Sequence, residues 1–570
     1  MVISAATLKI LKRLYKNKAK TIQATLESYT QNFTRPTPTK HRSYWYKNLI
    51  LYTVYPDTIV YSKQHSPLTN LRLHIPHIKK LHCNAMYILP FLTSPLTDAG
   101  FDINDHYQIR NNLGSFNDLR NLAKKAHKTG IHLFMDLILN HVSCQHPWAR
   151  KAQQGDPHYR NYFCTTKHKP QYLGKTHIKG AVFAKYRFKG KIIKMNIAFP
   201  EFAGTIPHWQ KKSDGYWYYH TFYPEQLDLN WSNPHVFIEL AKVMLFWGRL
   251  GFNFRLDAIP YVGRSGYKIT DKPTQNSKGR QIMTALKLIL QEINPQAILL
   301  AESYENIKQV IRYFGSDKQP LASLSYNFHL STNIWISLIK KDSYFITQCL
   351  HQLTHIPAHA DWLNFLRNHD ELSFAHVNKI ITQELISALA KYGKNFREGH
   401  GISGRTFSLL GASKKRFLMA YFLLASMPGS LMLTYGDEIA YANVAEQELT
   451  AAQKADTRNI NRGIITVTEF NRLANKKVLS HLQKFFAKRI ACKKFFNSFP
   501  QDITNKHPAI LFICYKYGRE KLLICINLSN QLKEIKLNTT KLQLVHSINQ
   551  LTVIPAKLIL GPYAGAWLIS

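Results

Sequence analysis

The chain has 570 residues, too many for one small domain and enough to bury a large core. Its 45% hydrophobic and 12% aromatic content excludes a disordered protein. The 75 Lys and Arg residues against 34 Asp and Glu give a net charge of +41, but they are scattered along the whole length without zinc-ligand spacing or an RNA-binding signature. No nucleic-acid partner is expected. The charge reads either as a generic basic surface or as a contact for a polyanion.

The first twenty residues lack a continuous apolar core and a cleavage site, so no secretory signal is predicted. Leu8, Ile10, Leu11 and Leu14 fall near helical spacing. Residues 1–42 are therefore read as a basic helical extension, packed on the main domain or touching a membrane or partner. Apolar, β-branched runs then predict strands at 51–55, 85–90, 132–138, 252–257, 297–302, 321–328, 362–369 and 430–435. Helical patterns separate most of them, at 115–129, 234–250, 281–293 and 414–427 among others. Eight strands alternating with helices predict an α/β fold, a (β/α)8 barrel over 43–141 and 226–500.

The chain between the third and fourth strands exceeds what one helix needs, so 142–225 is expected to be an inserted lobe over the barrel mouth. A second excursion spans about 371–413. The uncharged stretch Phe417 to Tyr435 is broken by Pro428-Gly429 and followed by Gly436-Asp437-Glu438. It reads as a buried helix, a turn and the last strand, and no transmembrane segment is expected. Residues 505–570 alternate as short strands and predict a C-terminal antiparallel β-sandwich domain. Seven cysteines without paired spacing predict free thiols in a reducing, cytoplasmic compartment.

Four short segments hold the candidate chemistry. They are Asp136-Leu-Ile-Leu-Asn140-His141, Phe254-Arg255-Leu256-Asp257-Ala258, Leu300-Ala301-Glu302 and Phe365-Leu366-Arg367-Asn368-His369-Asp370. Each follows or ends a predicted strand, and the strand tails of a (β/α)8 barrel line one shared face. Arg255 lies two residues before Asp257, so both point to the same side. Its guanidinium is expected to keep that carboxylate ionised. Glu302 closes an apolar run, where a carboxyl is expected to hold its proton.

With these four motifs in order, the chain resembles the α-amylase superfamily of retaining glycoside hydrolases and transglycosylases over roughly residues 43 to 440. The resemblance implies that Asp257 is the nucleophile, Glu302 the acid/base and Asp370 the stabiliser of the transition state. It implies substrate contacts from His141 and His369, whose neutral imidazoles suit sugar hydroxyls, and an inserted B domain at 142–225. Asn140 is a candidate calcium ligand on the same grounds; no cofactor is required for the chemistry, and any calcium would be structural.

Gln226-Leu-Asp228-Leu-Asn230 and Asp98-Ala99-Gly100-Phe101 are similar to segments of the oligo-1,6-glucosidase-like subgroup. There the aspartate grips the outer hydroxyls of a terminal glucose and the aromatic stacks beneath it, which implies Asp98 and Phe101 here. Arg462 is favoured over Arg458 as the partner of Asp98. Within the subgroup, the 365–372 segment, Ala301-Glu302-Ser-Tyr-Glu305 and the Pro428 to Glu438 stretch are most similar to trehalose synthases. Asn253, Asp105-His106 and Ser232 depart from the pattern. The implied activity is interconversion of maltose and trehalose through a glucosyl-enzyme intermediate. Alternatives are an exo-acting α-glucosidase or a sucrose-type glucosyltransferase. Partners would be maltose, trehalose, sucrose or short malto-oligosaccharides; the oligomeric state is left open.

Overall fold

The computed structural model describes residues 3–33, 44–178, 181–188, 190–200, 203–263, 277–353, 356–374, 377–396, 401–473 and 476–570. Eight strands form a closed barrel: β1 (Ile50–Val54), β2 (Ala85–Ile88), β3 (His132–Ile138), β4 (Phe252–Asp257), β5 (Leu299–Ala301), β6 (Leu324–Tyr326), β7 (Asp361–Asn364) and β8 (Ser430–Thr434). They follow one another around the barrel in chain order, with β1 closing on β8. All eight lie within the windows predicted from sequence or one residue outside them.

Two predicted strands end early for a local reason. In the 321–328 window, Asn327 turns its side-chain oxygen to the Leu330 amide at 3.1 Å and caps the following helix. In the 362–369 window the ladder stops at Asn364, and beyond it side chains replace the sheet partner. Arg367 Nε donates to the Gly404 carbonyl at 2.9 Å, and the Asp370 amide donates to Asn368 Oδ1 at 3.2 Å.

The chain divides into two compact units: one of Met1–Ser43, Ile88–Lys124 and His132–Ser325, the other of Tyr44–Tyr87, Lys125–Ile131 and Tyr326–Ser570. In the first unit the N-terminal extension is helical, as two helices, α1 (Ala5–Tyr15) and α2 (Ala19–Tyr29). Leu11, Ile22 and Leu26 are fully buried, and Tyr15 donates to the Trp231 carbonyl at 3.2 Å. Of the two readings of this segment, packing on the main domain is the one observed.

The 142–225 segment carries a three-stranded antiparallel sheet (Gln171–Ile178, Ala181–Phe188, Lys191–Asn196) and a smaller one built on Trp209–Lys211 and Trp217–Tyr219. Val182, Ala184, Tyr186, Trp209 and Tyr219 form its own core.

In the second unit, α3 (Pro67–Lys80) follows β1, and α4 (Lys414–Ala425) runs buried into β8. Gly429 makes the turn between α4 and β8 at φ +91°, where a Cβ would stand 2.8 Å from the Trp362 carbonyl. A side chain there would be strained and would clash. Among the described residues no helix is long and apolar enough to cross a membrane. The C-terminal strands from Asp502 to Ile569 form a five-stranded and a three-stranded antiparallel sheet. Ile510, Phe512, Leu558, Leu560 and Leu568 fill the core of this region. All seven cysteines are free.

Candidate active site

Strand register assembles the first cluster. On β3 and β4, Asp136 pairs with Arg255; on β4 and β5, Arg255 pairs with Leu300 and Leu256 with Ala301. Asp257 and Glu302 lie two residues beyond Arg255 and Leu300, and side chains alternate with period two. All four functional groups therefore share one face.

Arg255 is almost fully buried and serves three carboxylates at once. Its Nη1 donates to Asp136 Oδ1 at 2.9 Å and to Asp257 Oδ1, while Nη2 reaches Glu302 Oε1 at 2.5 Å. Its guanidinium carbon lies 5.2 Å from the centre of the Phe101 ring. After Asp257 the chain turns through Ala258 at φ 47°, which aims the Ala258 amide at Glu302 Oε2, 3.0 Å away.

Sharing one cation has an electrostatic cost. Burial, with Arg255 opposing it and the charges of Asp136 and Asp98 adding to it, pushes the Asp257 carboxyl up to about 6. Arg255 lowers the Asp257 pKa as expected but does not cancel burial, and a carboxyl at about 6 remains mostly ionised at neutral pH. The guanidinium is divided among three acceptors, and desolvation outweighs it. Glu302 sits at the end of an apolar strand, and both of its oxygens have polar partners, Arg255 and the Ala258 amide.

The Asp98–Phe101 segment packs beside this cluster in the same unit. Gly100, at φ +102°, comes so close to Pro90 that a Cβ would stand 2.7 Å from the proline Cβ. Asp98 Oδ2 accepts from Gln226 Nε2 at 3.1 Å, and Phe101 is buried. His141 is fully enclosed, and burial lowers its pKa, so the ring is neutral. Its Nε2 lies 3.2 Å from the Phe101 carbonyl, and Asn140 Nδ2 faces its Nδ1 at 3.3 Å, which selects the Nε2–H tautomer. The structure gives His141 a hold on the Phe101 backbone. Asn140 Nδ2 also donates to Asp228, which accepts from the Thr221 amide and hydroxyl as well. These residues do not fit a calcium shell. Such an ion wants six to eight oxygens, and the carboxylate beside Asn140 is already taken by three donors.

The second cluster belongs to the other unit. Asp370 Oδ1 receives Arg458 Nη1 at 3.2 Å, and Asp370 Oδ2 lies 3.2 Å from His369 Nε2. Arg458 is anchored in turn by Asp456, through Nε at 2.9 and 3.0 Å and Nη2 at 2.9 Å. Arg462 lies farther out, 4.0 Å from Asp370 and 3.4 Å from Asp456, over the Tyr55 ring. Tyr55 and Tyr87 present edges to His369 at 6.4 Å each. Asp98 and Arg462, the expected pair, belong to different units. Within its own unit Asp98 accepts from Gln226, and Arg462 faces Asp456 and Asp370.

Sequence reasoning gave no role to Asp136 or Asp456, and weighed Arg458 only as the less favoured partner of Asp98. Asp136 opens a quoted motif, but only the β3–β4 register puts it beside Arg255. Arg458 and Arg462 stand in the same short segment, and spacing alone does not rank them.

Residues 54–477 match the family model of the α-amylase catalytic domain. The chain belongs to this family. It is 31% identical to a trehalose synthase of Thermus thermophilus over 399 residues, 69% of this chain and 38% of that protein. It is 28% identical to a trehalose synthase/amylase of Mycolicibacterium smegmatis over 427 residues, covering 73% of this chain and 67% of the relative. The chain thus spans about a third to two thirds of the length of these relatives. Among solved structures, a trehalose-6-phosphate hydrolase of Bacillus licheniformis superimposes with a TM-score of 0.69 at 18% identity, over 92% of this chain and 99% of that one. That last likeness speaks to the fold alone.

Proposed function

We propose that this α-amylase-family chain is a retaining α-glucoside enzyme that interconverts maltose and trehalose through a glucosyl-enzyme intermediate. The observation that carries this reading is the grip of Arg255 on Asp257 and Glu302 together. Two carboxylates on the two terminal nitrogens of one guanidinium favour the short spacing of retaining enzymes, roughly 5 to 5.5 Å, over the roughly 6.5 to 9.5 Å of inverting ones. The curated relatives that bear the name trehalose synthase support the substrate class.

In this reading Asp257 attacks the anomeric carbon as a carboxylate, and Glu302, having taken up a proton, gives it to the departing glycosidic oxygen. The bond from sugar carbon to Asp257 then breaks in the reverse sense. Glu302 removes the proton from the anomeric hydroxyl of the glucose kept in the pocket, and that oxygen attacks the glucosyl carbon in place of the 4-hydroxyl oxygen that left. Water in place of that hydroxyl turns the same cycle into hydrolysis, and another sugar turns it into transfer. Asp370, held by Arg458, balances the oxocarbenium charge, with His369 beside it. Asp98 and Phe101 receive the terminal glucose; the Gln226 hydrogen bond and the His141 hold on Phe101 keep their loop in place.

The chemistry needs no cofactor, so a chelator should leave the initial rate unchanged. Small neutral sugars are the substrates and nucleic acid is not a partner. The free thiols favour a reducing, cytoplasmic setting.

The test is product analysis after separate incubation with maltose, sucrose and maltotriose. Trehalose from maltose, with little free glucose, supports the isomerase. Glucose alone from maltose indicates an exo-glucosidase, and fructose released from sucrose with glucan growth a sucrose-type transferase. An inverted anomer as first product overturns all three.

A further inference from the structure

A third polar cluster, apart from the two that carry the proposed sugar chemistry, lies where α3 packs against the turn after β8. His74 and His77 are one turn apart on α3 and so share a face. Glu438 comes from the short Asp437–Ile439 turn and is completely buried. One of its oxygens accepts the Tyr52 hydroxyl at 2.7 Å and lies 3.4 Å from His77 Nε2. Its other oxygen is buried without a hydrogen-bond partner, and His77 Nε2 makes no well-formed hydrogen bond. A buried carboxylate left half unsatisfied is costly unless something else occupies the space.

We propose that His74, His77 and Glu438 form a zinc site. Two imidazoles and a carboxylate are the donor set of a three-ligand zinc site whose fourth position is held by water. Their ligand atoms all lie within 4.8 Å of one another. Tetrahedral zinc with bonds of roughly 2.0 to 2.1 Å sets its ligands about 3.4 Å apart, the separation His77 and Glu438 already have. His77 keeps 13% of its side chain exposed, which gives the ion a way in.

The surroundings suit a metal ligand. Burial, with the neighbouring His77, lowers the His74 pKa to about 3, so its ring is neutral and has a lone pair to give. His74 Nε2 lies 3.1 Å from the Tyr52 hydroxyl and Nδ1 lies 3.0 Å from the Tyr61 hydroxyl. When Nε2 takes the metal, the ring proton resides on Nδ1, and the Tyr61 oxygen accepts it. Tyr61 thereby fixes the tautomer from outside the ligand sphere. The ion would tie α3 to the end of the barrel's last strand.

The test uses the untagged full chain, stripped of metal and then dialysed against limiting Zn2+. Elemental analysis should find one zinc per chain, and titration calorimetry should show His77→Ala binding at least about 100-fold more weakly. His77→Ala keeps every cysteine and should keep its metal-free melting temperature, since the side chain is partly exposed. Cobalt titration of the unaltered chain gives an independent readout: visible bands of nitrogen and oxygen ligation without a thiolate charge-transfer band. No stoichiometric zinc, equal zinc in His77→Ala, or a thiolate band would each overturn the site.

Discussion

The two carboxylate clusters are built to different charge balances. Around Arg255, one guanidinium faces Asp136, Asp257 and Glu302. Around Asp370, in the other unit, Arg458 and Arg462 face Asp370 and Asp456. The protons follow this difference. Asp257 is pushed up to about 6. Asp456 is partly buried, which acts upward, but Arg458 and then Arg462 overcome this and hold its carboxyl below the usual range. Asp257 can exchange a proton near neutral pH, whereas Asp456 stays charged. Double displacement needs a carboxyl that can change its protonation within the working pH range.

The comparison breaks first at Asp257. Asp257→Ala should lower kcat/KM by at least about three orders of magnitude, with the melting temperature retained. Near-normal turnover on the best α-glucoside would remove the labile cluster from the chemistry.

Arg255→Ala should come next, because it leaves three carboxylates without their shared cation. Breaking a buried ion pair from one side costs about 3 to 5 kcal/mol of stability, readable in denaturant unfolding. A loss no larger than that of an exposed lysine, such as Lys394 on Glu446, would mean the cluster does not depend on Arg255.

In the balanced cluster the two arginines should separate. Arg458→Ala removes a charged hydrogen bond to Asp370, worth about 1.5 to 3 kcal/mol, or roughly ten- to more than hundredfold in kcat/KM. Arg462→Ala should cost less, since Arg462 stands 4.0 Å from Asp370. The reverse order would show that Arg462 meets the sugar directly.

The smallest effect is in pH. The proposed nucleophile role requires Asp257 deprotonated, so kcat/KM should fall on the acid side with an apparent pKa of about 6. The stability contribution runs the other way. The folded-state pKa lies above the unfolded value of 3.8, so this group's stabilisation is complete below 3.8 and is lost as pH rises through about 6. Activity and this part of stability should therefore cross within one window. An acid limb near pH ~4, the ordinary carboxylate range, would show that Arg255 outweighs burial after all.

By itself the sequence determined the barrel and the order of its motifs, because strand and helix periods are local properties and eight alternations admit few closures. It also supplied the chemical types: carboxylates at strand tails, an arginine two residues from one of them, a glycine where the Asp98 loop crowds Pro90. Spacing along the chain was enough to put Arg255 and Asp257 on one side of β4. Only the tertiary structure decided who shares whom. Asp136 reaches Arg255 through inter-strand register, and the ionisation of Asp257 depends on burial and on charges from other segments, those of Asp136 and Asp98. Arg458 outranks Arg462 through the way their loop folds onto Asp370. The His74, His77 and Glu438 cluster carries no recognisable zinc spacing, since its third ligand comes from the opposite end of the barrel sequence. Ionisation and metal affinity are set by distances through space in a medium of low polarity, and those distances exist only once the chain has closed.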